Sequence, residues 1–429
     1  MASRVDDALA RACAIVAHKD SQPLRRALFR RKAERTPAIR AALATWRVLG
    51  TSSAAAAYVA AYAAASFIET RLPRSDAPIW AAWQYENEER ALSSLARLDP
   101  ALRLAPVTFG FGPRPVLEAL GAAPRPVDRR AWRLLSEYAG RGDFLVAARV
   151  ASTVGYFQRL LPALERSSAR AVWVSSDTNP YAVALTHAAE CAGRRTCFVT
   201  HGHVAEDPPP LAFDLAIVDG AAVRDVYARA GPVRGRVVFR GAQGSARPMR
   251  TAPLRGEIGT VGVFLSILVD PAKLARAITE LREALGPRRL LLRLHPNHQM
   301  RDPRWDRGVD LRGVEVSDAT RPLEADAARC ELVAAGNSSA HLTALKLGVP
   351  SVYVGALDEV PDDYYGFVAA RLLPSLSAEP RPTPGQIAAF YEDPGWARRF
   401  ARFDAAYPDR QGECDREVRA ALLELIAPR

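Results

Sequence analysis

Residues 331–355 read ELVAAGNSSAHLTALKLGVPSVYVG. "LVAA" is a short unbroken apolar run, the pattern of a strand buried on both faces. Gly336 permits a tight turn after it, and Ser338 or Ser339 can cap a helix over "SSAHLTALKLG". "PSVYVG" is then a second buried strand. Strand, helix and strand in this order form a βαβ unit, which implies a parallel sheet.

The same alternation extends in both directions. Strand "VGVFLSILV" (261–269), helix "PAKLARAITELREALG", strand "RRLLLRL", strand "GVEVS" and helix "PLEADAARC" lead into the quoted stretch. Before them, "AQGSARPMRTAPLRGE" (242–257) has the polar, Gly- and Pro-rich composition of a linker. Upstream of the linker come strand "AVWVSS", helix "PYAVALTHAAECAG", strands "TCFVT" and "LAIVDG", helix "AAVRDVYARAG" and strand "RVVFRG". "LAPVTFGFG" near 104 is a further strand, and "DFLVAARVASTVGYFQRLLPAL" is mainly helix. Residues 1–100 read as helical, without a good strand.

The expected fold is therefore α/β, with two Rossmann-like domains facing a cleft and a helical N-terminal extension. A basic helical region covers 1–100 and the first Rossmann-like domain 101–245. The second covers 255–400, and in 401–429 a helix, "DREVRAALLELIA", is expected to cross back to the first domain.

Composition agrees with a globular chain long enough for two cores: 429 residues, 49% hydrophobic and 24% charged. The formal net charge is +11, and residues 1–50 hold 11 Arg or Lys against 4 Asp or Glu. That segment has two readings, a solvated helical surface or an arm that touches an anionic membrane face. No nucleic-acid-binding module is recognisable, so a nucleic-acid partner is not expected. Five scattered cysteines, Cys13, Cys191, Cys197, Cys330 and Cys414, lack metal-ligand spacing and suit a reducing, cytoplasmic compartment. Asp6 and Asp7 interrupt any cleavable leader. The Ala-rich run 52–68 is too short and too weakly apolar to span a bilayer and reads as a buried or interfacial helix.

In open α/β sheets ligands bind outside the carboxyl ends of the strands. Four such ends are polar. "VWVSSD" delivers Ser176 and Asp177, and "CFVTHGH" delivers His201, Gly202 and His203. "LLLRLHPN" delivers Arg293, His295 and Asn297, around Pro296, and "LVAAGNSS" delivers Gly336, Asn337, Ser338 and Ser339. A capped helix amino terminus after Gly336 would be an anion site suited to phosphate. Pro296 ends its strand and His295 points off the sheet edge, where it can hydrogen-bond a phosphate or ribose oxygen. Arg293 either reaches the cleft beside His295 or anchors a loop carboxylate.

The set formed by "HG" after a strand, then "RLHP", then "GNSS" before "GVPSVYV" resembles bacterial glycosyltransferases of the GT-B fold. It is similar to the group of sialyl- and polysialyltransferases, Kdo transferases and CDP-glycerol glycerophosphotransferases that build surface polysaccharides. The resemblance covers roughly residues 170–355. It implies that His295, Pro296, Ser338 and Ser339 hold the nucleotide part of an activated donor, and that His201, in the HG motif, is catalytic. The acidic Gly-terminated motif of the sialyltransferase group has no counterpart: "VDG" (218–220) and "ENEE" (86–89) depart from it. That points away from a sialic acid donor.

Glycosyl transfer needs a base for the acceptor hydroxyl and donors for the leaving phosphate. His201 is the expected base, since imidazole titrates near neutrality. Asp177 is an alternative base, a group orienting His201, or, like Asn179, a helix cap before Pro180. His203 alternates to the other face. No carboxylate pair suited to a metal follows a strand, and no cofactor is expected beyond the nucleotide-sugar substrate. "PDD" (361–363) reads as a surface turn or a lid. The partners implied are a nucleotide-sugar donor and a glycan or lipid-linked acceptor. Two other readings share the architecture: a nucleotide-sugar 2-epimerase, which needs several cleft carboxylates, and a non-catalytic sugar-nucleotide binder.

Overall fold

The computed structural model describes residues 2–22, 25–26, 28–30, 33, 36–73, 75–109, 127–204, 207–242, 246–266, 269, 271–295, 311–318, 320–360 and 362–428. It contains two sheets. The first is built from β1 (Thr70–Arg71), β2 (Ile79–Ala82), β3 (Leu104–Phe109), β4 (Ala171–Val174), β5 (Arg195–Val199), β6 (Ala212–Val218) and β7 (Arg234–Phe239). Their order is β1-β3-β2-β4-β5-β6-β7, and every pair is parallel except β1 with β3. The second holds β8 (Thr260–Phe264), β9 (Arg289–Arg293), β10 (Val314–Val316), β11 (Leu332–Ala335) and β12 (Ser351–Tyr353). Its order is β10-β9-β8-β11-β12, all parallel.

The expected α/β class with two parallel, doubly wound sheets is the one observed. Strands such as "AVWV" and "LVAA" are buried at every position, because helices cover both faces of a parallel sheet. The winding reverses beside β2 in the first sheet and beside β8 in the second. In the second sheet the switch point lies between β8 and β11, so the chain of the GNSS turn leaves the sheet there.

Two strands, β1 and β2, lie where residues 1–100 read as strandless. β2, "IWAA", is fully buried between β3 and β4 although residues 1–100 read as strandless. Four residues are too few to show a period, and the two alanines favour helix by propensity. The first sheet therefore begins at Thr70, upstream of the expected boundary at 101.

The helical segments before it are packed on this sheet unit. Helix Ala2–Ser21 buries Leu9, Ala12, Cys13 and Val16. The Ala-rich stretch forms helix Ser53–Glu69, whose small side chains admit a close crossing with helix Phe144–Arg166. A Cβ on Gly155 would lie 2.0 Å from the Ala63 carbonyl oxygen, so only glycine fits that crossing. Among the described residues no helix is long and apolar enough to cross a membrane.

Two strands of chain join the halves. The linker runs along the second unit, with Arg247 N donating to Lys346 O and Arg250 N to Gly348 O, both at 2.8 Å. Gly348 has φ 70° and lies against the Pro248 carbonyl, which excludes a side chain twice over. The returning segment is pinned by Asp404, which accepts from Ala242 N at 2.9 Å and sits 3.1 Å from Lys346 Nζ. The last helix, Gln411–Ile426, then packs Val418, Ala421, Leu422 and Leu425 against the first sheet, beside Ile79, Trp173 and Ile217.

Candidate active site between the two sheets

A cavity of about 320 Å³ opens at the carboxyl ends of β4 and β5 and is roofed by the second unit. The first unit contributes Ser175, Asp177, His201, His203 and Tyr227, and the second contributes Asn337, Tyr364 and Tyr365. Two of the expected strand ends thus meet here, together with part of a third.

His201 follows β5. Its Nδ1 makes a short hydrogen bond with the Ser175 carbonyl oxygen and lies 3.2 Å from Ser175 Oγ, which itself donates to Val199 O at 2.7 Å. A carbonyl only accepts, so Nδ1 carries a proton, and in the neutral ring the lone pair is on Nε2. Nε2 has no hydrogen-bond partner among the described residues. The loop behind it is held by Arg240, which donates to Thr200 O at 2.7 Å and pairs with Asp219 at 2.9 Å. Asp219 is the acid of "VDG". Burial pushes its carboxyl up, against the pull of Arg240.

Asp177 does not orient His201, and it does not cap the following helix. Tyr227, fully buried on helix Ala221–Ala230, donates its hydroxyl to Asp177 Oδ2 at 2.6 Å. Burial, and then the Asp177 charge, raise the Tyr227 phenol well above its ordinary value, which keeps it a donor. Ser176 Oγ accepts from Asn179 N at 3.1 Å in the turn before helix Pro180–Cys191, and Asn179, at the N-cap position, makes no side-chain capping bond.

His203 was expected on the other face, yet it lines the same cavity. Its ring packs on Tyr365, Phe367 and Phe403 with centroids 5.6, 5.0 and 5.3 Å away, across the junction of the two units. It hydrogen-bonds the Tyr365 main chain, while Nε2 is buried without a partner. Burial lowers its pKa from 6.5 to about 4.

At the second sheet the outcome is mixed. Arg293 does not reach the cleft: its guanidinium makes a short ion pair with Asp326, which is fully buried and also accepts from Ser317. The side chain anchors helix Leu323–Ala328 to β9, so the carboxylate-anchor alternative is the one realised. His295 is partly buried just past β9, and Pro296 and Asn297 lie outside the described residues.

Asn337 lines the cavity but is spent on structure, since Nδ2 donates to Val360 O at 3.0 Å and Oδ1 accepts from Tyr364 N at 2.8 Å. These bonds carry Tyr364 and Tyr365 over the opening. Asp363 supports the same turn by accepting from Val368 N at 2.7 Å and Phe367 N at 2.9 Å.

Gly336 packs on fully buried Asp358, and a Cβ there would meet Asp358 Oδ2 at 2.2 Å. Asp358 binds Ser266 Oγ and Asn337 N, both at 2.5 Å, and so ties the end of β8 to the end of β11. The helix after the turn, Ala340–Lys346, has only seven residues. Ser339, at its cap position, is exposed and makes no capping bond, whereas Ser338 Oγ accepts from Ala340 N at 3.2 Å. The turn is fixed from beneath by His341, bound to Gly336 O at 2.9 Å and Ser351 Oγ at 2.7 Å.

Sequence reasoning did not find Tyr227, His341, Tyr364 or Tyr365, which read there as ordinary amphipathic or loop residues. It also missed Lys19 and Arg25, which line the cavity from the amino-terminal segment. Among the described residues no three His, Cys, Asp or Glu side chains come together as a metal site.

No protein-family model and no curated protein matches this chain. Solved structures with a similar fold include a UDP-N-acetylglucosamine 2-epimerase, 15% identical over 81% of this chain and 95% of its own, with a TM-score of 0.43. The Neisseria meningitidis UDP-GlcNAc 2-epimerase bound to UDP-GlcNAc is 13% identical over 81% of this chain and 99% of its own, TM-score 0.45. The glycotransferase of kitacinnamycin is 14% identical over 83% and 100%, TM-score 0.42. At such identities and scores the likeness carries no assignment of chemistry.

Proposed function

We propose that the protein transfers a sugar, or a polyol phosphate, from a nucleotide-activated donor to a hydroxyl of a glycan or lipid-linked acceptor, with His201 as the base. The observation that carries this reading is the His201 imidazole, anchored through Nδ1 on the Ser175 carbonyl and open at Nε2, in a cavity shared by the carboxyl ends of both sheets. In sugar transfer, an acceptor hydroxyl at Nε2 gives up its proton while its oxygen bonds the anomeric carbon. The bond from that carbon to the phosphate oxygen breaks, and its electron pair leaves with the nucleotide. Asp177, held by Tyr227, lines the same cavity.

The donor phosphates are assigned to the second sheet, where His295 after β9 and Ser338 and Ser339 after β11 bracket β8. Two strand spacings separate them, roughly 10 Å, a gap suited to a nucleotide diphosphate. Asp177 is the one carboxylate lining the cavity among the described residues, which favours transfer over 2-epimerisation with its several carboxylates.

Calorimetric titration with CMP, CDP, UDP and GDP, followed by nucleotide release on turnover, tests the reading. His201→Ala should lower kcat by about 10²–10⁴-fold with the nucleotide Kd near wild type. Full activity in that variant would remove His201 as the base, and loss of turnover in Asp177→Asn alone would move the role there. Failure of all four nucleotides to bind would refute the donor class.

A further inference from the structure

The amino-terminal segment supplies two cations to this cavity. Helix Ala2–Ser21 is fixed to the first sheet unit by its buried face, and its last turn brings Lys19 to the opening, where Arg25 joins it. The other basic groups of this neighbourhood have acidic partners. Arg26 pairs with Asp143 at 2.7 Å, Arg149 with Asp20 at 2.8 Å, and His18 with Asp207 at 3.1 Å. Lys19 and Arg25 have neither an ion pair nor a side-chain hydrogen bond among the described residues, and both are half-buried.

Burial and then the neighbouring Arg25 lower the Lys19 pKa below its ordinary value, with Asp177, Asp207 and Asp20 pulling the other way. Two close cations that repel each other in a partly desolvated cavity are an electrostatic deficit that one oxyanion would fill. They line the cavity together with His201, whereas Arg293, His295, Ser338 and Ser339 are not among its lining residues.

We infer that Lys19 and Arg25 form an oxyanion subsite for the acceptor, so that the hydroxyl delivered to His201 belongs to a molecule bearing a phosphate or carboxylate. The word acceptor rests on the function proposed above; the oxyanion site itself stands on the cavity and its two unpaired cations. Sequence alone left the basic segment as a solvated surface or a membrane arm, and in the structure two of its charges face inward.

The test uses the full chain, with orthophosphate and the tightest-binding nucleotide of the titration as separate probes, in calorimetry at constant ionic strength. Orthophosphate should bind wild type and lose about tenfold or more in affinity in Lys19→Gln and in Arg25→Gln, the range for a hydrogen bond to a charged group. Nucleotide affinity should stay within about twofold of wild type. Thermal midpoints close to that of wild type show that both variants are folded. Unchanged phosphate affinity in both variants, or no phosphate binding by wild type, overturns the subsite. A parallel fall in nucleotide affinity would give the pair to the donor and overturn the acceptor assignment. Should no nucleotide bind at all, the phosphate arm still reads the subsite, so the two failures are distinct.

Discussion

Acid should loosen this protein through His203. Its imidazole is neutral in the fold, with burial lowering its pKa from 6.5 to about 4, whereas in the unfolded chain it titrates near the ordinary value. The stability that depends on keeping it neutral is whole above about pH 6.5, is lost progressively as pH falls toward about 4, and loses no more below that. A depression of this size corresponds to about 3 kcal/mol, a large share of an ordinary domain's stability. His341 is buried with a pKa also lowered to about 4, so the two losses overlap in the same window. His203→Phe separates them. At pH 7.5 the variant loses the ring's bond to the Tyr365 main chain, about 1 kcal/mol, but keeps the contacts with Tyr365, Phe367 and Phe403 and removes the orphaned Nε2. At pH 4.5 nothing remains to protonate at that site. The variant should therefore gain about 2–3 kcal/mol on wild type between pH 7.5 and 4.5. Urea denaturation at half-unit pH steps measures this directly. Parallel curves would show that burial of His203 is not what holds it neutral.

Arg293→Leu should destabilise by about 3–5 kcal/mol in urea unfolding, because fully buried Asp326 loses its closest cation. Its nucleotide affinity should match wild type, since the guanidinium faces helix Leu323–Ala328; a selective loss of nucleotide binding would return Arg293 to the donor site. Gly336→Ala forces Asp358 away from Ser266 and Asn337 and should lose about 1–3 kcal/mol, the range for overpacking. A midpoint equal to wild type would mean that the Asp358 tie does not hold the ends of β8 and β11 together.

The two sheets were legible because a βαβ unit announces itself twice, by short apolar runs and by the amphipathic helix between them. β2 was not legible, since "IWAA" carries no period and its place between β3 and β4 is a tertiary fact. The strand-end rule located His201 and Asp177 because chain direction alone brings the ends of β4 and β5 to one edge. The roles of individual side chains were less accessible. Arg293 and His295 lie on the same face by alternation, but only the burial of Asp326, which is on another element, decides which way the guanidinium turns. Similarly, sequence leaves Asp177 as a base, an orienting group or a helix cap. The hydroxyl of Tyr227, fifty residues away, is what draws off the carboxylate. Lys19 and Arg25 were hidden by composition, because a run of basic residues looks alike whether it faces water or a cavity.

The polar groups of the two sheet edges are committed differently, and that asymmetry bears on which side binds and which reacts. At the second edge Asn337, Asp358, Arg293 and His341 are consumed in fixing the turns, with Asp358 alone joining two strand ends. A surface built this way is rigid, as suits a moiety that is held and does not change. At the first edge the fixed groups, Tyr227, Ser175 and Arg240, stand behind others that keep their capacity: Nε2 of His201 and the cations of Lys19 and Arg25. Proton transfer and recognition of a variable partner both need such uncommitted groups on a fixed support. The division of labour therefore follows from where hydrogen bonds are already satisfied. On the proposed reading the chemistry belongs to the edge of β4 and β5, under the aromatic roof of Tyr364 and Tyr365 that Asn337 holds across the cleft.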